Sequence, residues 1–378
     1  MKKIFLTTIA LLSMASATIF GMYGVDTDWI NFLTHGNQFR ARLDQLGFTL
    51  GNDTIKGTFG FRNKGFGGQF GKMLNTTDGV NYNFNPTMSM GLGYTSSLIS
   101  VGVGYNATIG GHTQKFNGKT EPKTVNKSAH TPVLVLNAMD NAFRMAIPIQ
   151  VYVDNDKLEN GGYDNKMAVS VDSQFRYYTG LDALPQVRLF LRYGLYQNES
   201  KASKDAEKVK TKYGESFGFD FRLYFGSMVE EVALQPLVRL AYDGALGNYH
   251  ANARIQAVKA MNGDYDAMSY GGGVWNLTLM TGLGLTANSD IVSLYLEPQL
   301  GLAVTSRAPI VGTAPGTPAP ARVTTESYSL TYNVYAEIYI TPLKNLEWYF
   351  EAQLGSGANQ NSLVFNGTTG ITWYLPAL

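Results

Sequence analysis

Between Glu326 and Thr341 the chain changes character at every step. Tyr328, Leu330, Tyr332, Val334, Ala336, Ile338 and Ile340 alternate with Ser327, Ser329, Thr331, Asn333, Tyr335, Glu337 and Tyr339. A period of two puts successive side chains on opposite faces of a β-strand. The run is far longer than an ordinary strand of about five to six residues. The same rhythm returns elsewhere. Trp348, Phe350, Ala352 and Leu354 alternate with Glu347, Tyr349, Glu351 and Gln353, and Val187, Leu189, Leu191, Tyr193 and Leu195 with Arg188, Phe190, Arg192, Gly194 and Tyr196. Phe217, Phe219, Phe221, Leu223 and Phe225 alternate with Ser216, Gly218, Asp220, Arg222 and Tyr224. One face of each strand is built for oil and the other mostly for water.

The connections sort by length. Short ones fall near Ser96-Ser97, Asp140-Asn141, Gly180–Leu184, Gly226–Met228, Asn288-Ser289 and Pro342–Asn345. Long ones, near 63–86, 109–129, 155–165, 198–213, 244–272 and 306–325, lie between them, with a brief last loop near 357–362. Tight turns at one end and long loops at the other are the pattern of a transmembrane β-barrel. Twelve residues at about 3.3 Å each, tilted by about 40°, reach roughly 30 Å, enough to cross an outer membrane. Hydrocarbon offers no partner for an open sheet edge, so the sheet must close.

The N-terminus agrees with export. MKKIFLTTIALLSMASATIFG has two lysines, a short apolar run and small residues, as in a secretory signal peptide over 1–21, cleaved after Gly21 or after Ala17. No later apolar run reaches the about 18 residues of a spanning helix. Cysteine is absent, which excludes disulfides, thiolate metal sites and a lipidated cysteine. A net charge of +1 with 16% charged residues implies no nucleic-acid partner.

The strand candidates are 53–62, 87–96, 98–108, 130–139, 142–153, 166–179, 185–197, 214–226, 229–243, 273–287, 290–305, 326–341, 344–356 and 363–375, fourteen in all. Upstream, Trp29, Phe32, Leu33, Phe39, Leu43 and Leu46 recur at helical spacing, with Thr27 placed to cap the start and Gly47 the end. The expectation is therefore an all-β, antiparallel, fourteen-stranded barrel over 53–378, with an amphipathic helix or plug within 22–52 packed inside it or beneath it. A sixteen-strand count, with 24–35 and 37–50 as a hairpin, is the alternative.

No motif calls for catalysis. His35, His112, His130 and His250 are widely separated, and His250 shares a loop with Asp264 and Asp266 as loop polarity alone would arrange. HExxH, GxSxG and calcium-loop spacings are missing, so no catalytic residue, cofactor or metal site is expected. Gly91 and Gly93, Gly102 and Gly104, and Gly282 and Gly284 alternate within strands on the inner face, where they widen the lumen or admit the plug. The lysine-rich segment 198–212 reads as a solvated loop, and the four prolines of 307–322 as an extended one.

The inward-pointing charges are sharper. Arg144, Arg176, Arg188, Arg192, Arg222 and Arg239 form a basic wall, although Asp172 and Asp220 lie among them. Glu297, Glu337, Glu347 and Glu351 form an acidic one on the far side. Such walls create a transverse field in a water-filled passage, or else salt bridges that close it.

GMYG (21–24), DWINFLTHGNQFRARLDQLGF (28–48) and TIKGTFGFR (54–62) resemble the variable surface proteins of the outer sheath of intestinal spirochaetes. That resemblance implies an abundant outer-membrane surface antigen whose variants differ in their loops, and it brings no catalytic residues. Separately, a plug followed by fourteen strands is similar to the fatty-acid-transporter architecture by strand count alone. The expected protein lies in the outer membrane with its long loops outside, as a surface antigen or host-interaction protein that also passes small polar solutes. A gated transporter for apolar ligands is the alternative. The expected partners are outer-membrane lipid, the barrel-assembly machinery, small solutes, and host surfaces or antibodies, with an oligomer left open.

Overall fold

The computed structural model describes residues 27–42, 45–63, 86–110, 113–114, 123–124, 127–157, 161–229, 232–246, 253–257, 260, 274–307, 325–356 and 363–376. The expected signal peptide and most of the long loops, with His112, His250, Asp264 and Asp266, lie outside the described residues.

Sixteen antiparallel strands form one closed ring. In chain order they are β1 (Gln38–Arg42), β2 (Gln45–Gly51), β3 (Ile55–Asn63), β4 (Pro86–Tyr94), β5 (Ile99–Gly110), β6 (Lys127–Ala138), β7 (Phe143–Lys157) and β8 (Tyr163–Tyr178). There follow β9 (Gln186–Lys201), β10 (Lys208–Tyr224), β11 (Val232–Ala245), β12 (Trp275–Asn288), β13 (Val292–Arg307), β14 (Thr325–Leu343), β15 (Leu346–Ser356) and β16 (Leu363–Tyr374). A three-residue extension, Ser227–Val229, lengthens the pairing at the β10–β11 turn, and Thr113–Gln114 pairs with Lys123–Thr124 in a small separate ribbon. Each strand pairs with its neighbours in sequence. β1 closes the ring on β16, with Gln38 opposite Tyr374 and Arg42 opposite Gly370. Among the described residues the ring leaves no strand edge to face hydrocarbon.

The fourteen-strand expectation is two short. The missing pair is the hairpin β1–β2, so the barrel wall begins at Gln38 rather than near 53. The alternative had the right number but placed its first strand over 24–35. That region instead holds a 3-10 helix, Thr27–Thr34, in place of a long amphipathic helix over 27–46. Phe39 lies in β1, Leu46 lies in β2 facing outward, and Leu43 is outside the described residues. The sixteen strands also remove the strand-count likeness to fatty-acid transporters.

The two faces answer the alternation. On β14, Leu330 is 66% exposed on the outside while Glu337 is 2% exposed within. Met88, Met90, Leu92, Val101, Val103, Leu279, Leu300 and Leu302 join Leu330 in an exposed apolar belt. Thr87, Ser89, Ser100, Asn106, Gln150, Gln174 and Gln299 are buried on the inner face. A water-soluble protein does not display so wide an apolar surface.

The connections at one rim are 52–54, 95–98, 139–142, 179–185, 225–231, 289–291 and 344–345. The other rim carries 64–85, 111–126, 158–162, 202–207, 246–274, 308–324 and 357–362, together with the two-residue link 43–44. The lysine-rich segment is not simply a loop. Residues to Lys201 continue β9 and those from Lys208 begin β10, with Lys208 Nζ 2.7 Å from Glu199 Oε1. The cross-strand ion pair lets two charged segments extend the ladder instead of diverging.

Candidate functional site in the barrel lumen

Five arginines stand side by side on five adjacent strands. The register places Arg144 opposite Arg176, Arg176 opposite Arg188, Arg188 opposite Arg222, and Arg222 opposite Arg239, crossing β7 to β11 in one row. Like charges directly opposite one another oppose pairing, so the row needs compensation. Aromatic faces supply part of it: Arg144 lies 4.8 Å from the Tyr178 ring centre, Arg188 4.5 Å from that of Tyr224, and Arg222 4.9 Å from that of Phe190.

Carboxylates supply the rest at the β9–β11 end. Asp220, wholly buried, accepts from Arg222 Nη2 at 2.9 Å and Arg239 Nη2 at 2.8 Å, and lies 3.3 Å from Arg192 Nη2. Arg192 also donates to Asp243 Oδ2 at 3.2 Å and sits 3.5 Å from Asp172. Asp172 in turn pairs with Arg254. The six predicted arginines therefore do not act as one uncompensated wall. Arg192, Arg222 and Arg239 share the Asp220 network, while Arg144, Arg176 and Arg188 continue the row over β7 to β9.

The acidic residues lie on β13 to β15, beginning two strands beyond Arg239 on β11 rather than on the far side of the ring, and are covered by tyrosines. Glu337 stands opposite Glu351 across β14–β15. The Tyr335 hydroxyl sits between Glu337 and Glu351, within hydrogen-bond reach of both and 2.8 Å from the latter, while Tyr339 donates to Glu337 at 3.0 Å. Tyr295 and Gln299 donate to Glu297, and Tyr374 to Glu347 at 3.0 Å. Arg42, from the hairpin missed in the sequence, reaches within 3.8 Å of Glu351.

Two segments pack against the inner wall. In the 3-10 helix, Trp29, Ile30, Phe32 and Leu33 are buried with Val133, Val135 and Ala146. The glycines of β4 and β5 make room for them. A Cβ on Gly91 would stand 2.7 Å from Cζ3 of Trp29, and one on Gly102 would stand 3.1 Å from Cδ2 of Leu33. Polar ties hold the far side of the helix. Arg144 Nη1 donates to Asn31 Oδ1 at 3.1 Å and Thr34 Oγ1 at 3.3 Å, and Lys56 Nζ to the carbonyls of Leu33 at 2.9 Å and His35 at 2.6 Å.

The second segment comes from the 246–274 connection, expected to be an exposed loop. Ile255, Ala257 and Ala260 are buried with Ala129, Tyr152, Ala168 and Tyr196. Backbone N–H groups of Ile255 and Ala257 donate to Ser216 Oγ at 2.8 Å and Ser170 Oγ at 2.9 Å. Asp243 and Arg254 are thus site residues that strand reading did not single out. Asp243 shares the inward parity of Arg239 and Ala241, a signal present in the sequence. Nothing local marks Arg254.

Among the described residues, no group of three or more His, Cys, Asp or Glu side chains is placed to hold a metal ion.

Comparison with known proteins adds little on the barrel and more on the family. The translocator domain of the autotransporter NalP from Neisseria meningitidis is 12% identical with a TM-score of 0.32, over 99% of this chain and 96% of that one. A loop L8 deletion mutant of OmpT, an outer membrane protein of Vibrio cholerae, is 9% identical at 0.33, over 90% and 97%. The siderophore receptor PirA from Pseudomonas aeruginosa is 8% identical at 0.36, over 89% and 79%. At such TM-scores these likenesses carry no weight for function. No curated protein matches the sequence. Residues 2–274 and 250–374 match the Serpulina hyodysenteriae variable surface protein family, so the chain belongs to that family and, with its closed barrel, is an outer-membrane surface protein.

Proposed function

We propose that this protein is a surface-exposed porin: its lumen passes small polar solutes and its long connections face the cell exterior. The observation that carries the reading is the inner face itself, with arginines in register across β7–β11 and carboxylates gathered on β13–β15. A charged inner face orients and admits polar solutes while apolar ones gain nothing by entering. The 3-10 helix and the segment around Ile255 act as partial plugs that narrow the passage. The competing reading, a carrier of apolar ligands, needs an apolar pocket beside the helix. Trp29, Phe32 and Leu33 instead spend their apolar surface on the glycines and on Val133, Val135 and Ala146.

Planar bilayer recording of the purified protein tests the passage. Discrete conductance steps are expected, larger after deletion of residues 22–35, and silence in both forms would reject it. The exposed-loop half of the proposal is checked on intact cells. Tags placed in 64–85 or 308–324 should bind antibody, whereas a tag in the 139–142 turn should bind only after the membrane is opened.

A further inference from the structure

The lumen charges differ in how far they reach water, and the difference has a sign. On the basic wall, Arg222, Arg239 and Arg254 keep 22%, 26% and 30% of their side-chain surface exposed. The carboxylate that neutralises two of them, Asp220, is 0% exposed and lies behind their guanidinium groups. A quarter-turn round the ring, on β14 and β15, the order is reversed. Glu337 and Glu351 are 2% and 6% exposed, with the hydroxyls of Tyr335 and Tyr339 on their oxygens. A solute in the passage meets guanidinium groups on one stretch of wall, with the part-exposed carboxylates of Asp172 and Asp243 among them, and phenol rings on the next.

We propose that the passage is anion-selective, its solutes being small carboxylates, phosphates and inorganic anions that travel along Arg222, Arg239 and Arg254. This rests on the porin reading above and names the solute class of the same lumen. The guanidinium group suits such a passage because it is always charged, weakly hydrated, and presents a planar fork that matches carboxylate and phosphate oxygens. Partial neutralisation by Asp220 and Asp172 weakens each contact, so an anion can be handed on rather than trapped. The exposed arginines come from three separate places, β10, β11 and the inserted segment, so the anion passes between elements rather than along one strand.

The test is the reversal potential of single channels of the full protein under a potassium chloride gradient in uncharged lipid. A chloride-to-potassium permeability ratio of about three or more is expected, given focusing of the field in a narrow passage. The Arg222→Gln, Arg239→Gln, Arg254→Gln triple variant should bring that ratio close to unity. Arg254→Gln alone changes no barrel strand and should lower it part of the way, so the outcome does not depend on the triple variant folding. A wild-type channel with a ratio at or below one overturns anion selectivity while leaving the porin reading in place. Absence of any channel overturns both.

Discussion

Gly104 lies so close beneath the indole of Trp29 that an added Cβ would overlap the ring, standing 2.7 Å from Cζ2. The contact joins the inner wall to the 3-10 helix and depends on a residue without a side chain. Gly104→Val should therefore push Trp29 out of its seat. Overpacking of this kind costs about 1–3 kcal/mol. Tryptophan emission should shift to the red and open-channel current should rise. Unchanged emission together with an unchanged urea midpoint would show that the helix is not seated there.

Asp220 answers Arg192, Arg222 and Arg239 together. Removing its charge leaves three cations on adjacent strands facing one another. Asp220→Asn keeps the shape and should cost about 3–5 kcal/mol, the usual loss when one partner of a buried pair is removed. The measurement is the urea midpoint of the folded band, read by its mobility on gels without boiling. Arg239→Gln in the same background should recover part of the loss, because it relieves the repulsion that Asp220 had masked.

How much of this was legible in the sequence depends on strand length. β9, β10 and β14 carry the alternation over many residues, and no other element can imitate that. β1 and β2 run only over Gln38–Arg42 and Gln45–Gly51. Phe39 alternates with Gln38 and Arg40, and Leu46 with Gln45 and Gly47, but five to seven residues do not separate a period of two from one of 3.6. With Trp29, Phe32 and Leu33 upstream, the helical spacing was the more regular pattern, and only ring closure onto β16 decides otherwise. The charged lumen was readable because parity alone sets the face. Its compensation was not, since Arg254 and Arg42 reach their partners through contacts distant in the chain. The glycines on β4 and β5 were readable as small inner-face positions, and their depth is explained by Trp29 and Leu33.

The outward parity makes a sharp test on one strand pair. Leu300 faces out near the middle of β13, opposite Tyr332, and the neighbouring pair, Gln299 and Asn333, faces in. Leu300→Arg should destabilise the barrel in bilayers by about 2–4 kcal/mol, the cost of arginine on the lipid face near the midplane. Asn333→Arg meets lumen water and should cost far less. Equal losses for the two would contradict the assignment of faces.

Acid should loosen the 3-10 helix through His35. Burial pushes the pKa of this imidazole well below its ordinary value, and the charges of Arg40, Lys56, Arg144 and Arg176 push it the same way. At neutral pH the ring is therefore uncharged. Once the segment leaves the wall, the ring regains an ordinary pKa of about 6.5. Between the depressed value and about 6.5 the released state binds more protons than the seated one, so stability rises with pH across that window. The contribution is fully present above about 6.5 and is lost as pH falls through the depressed value. Lowering the pH from about 7.5 to about 5 should thus raise open-channel current and shift Trp29 emission to the red, in the range where histidine titrates. His35→Gln cannot take up a proton and should flatten both profiles. A glutamine variant that follows the wild-type curve would place the acid sensitivity elsewhere, because no other change has been made to the groups around the helix.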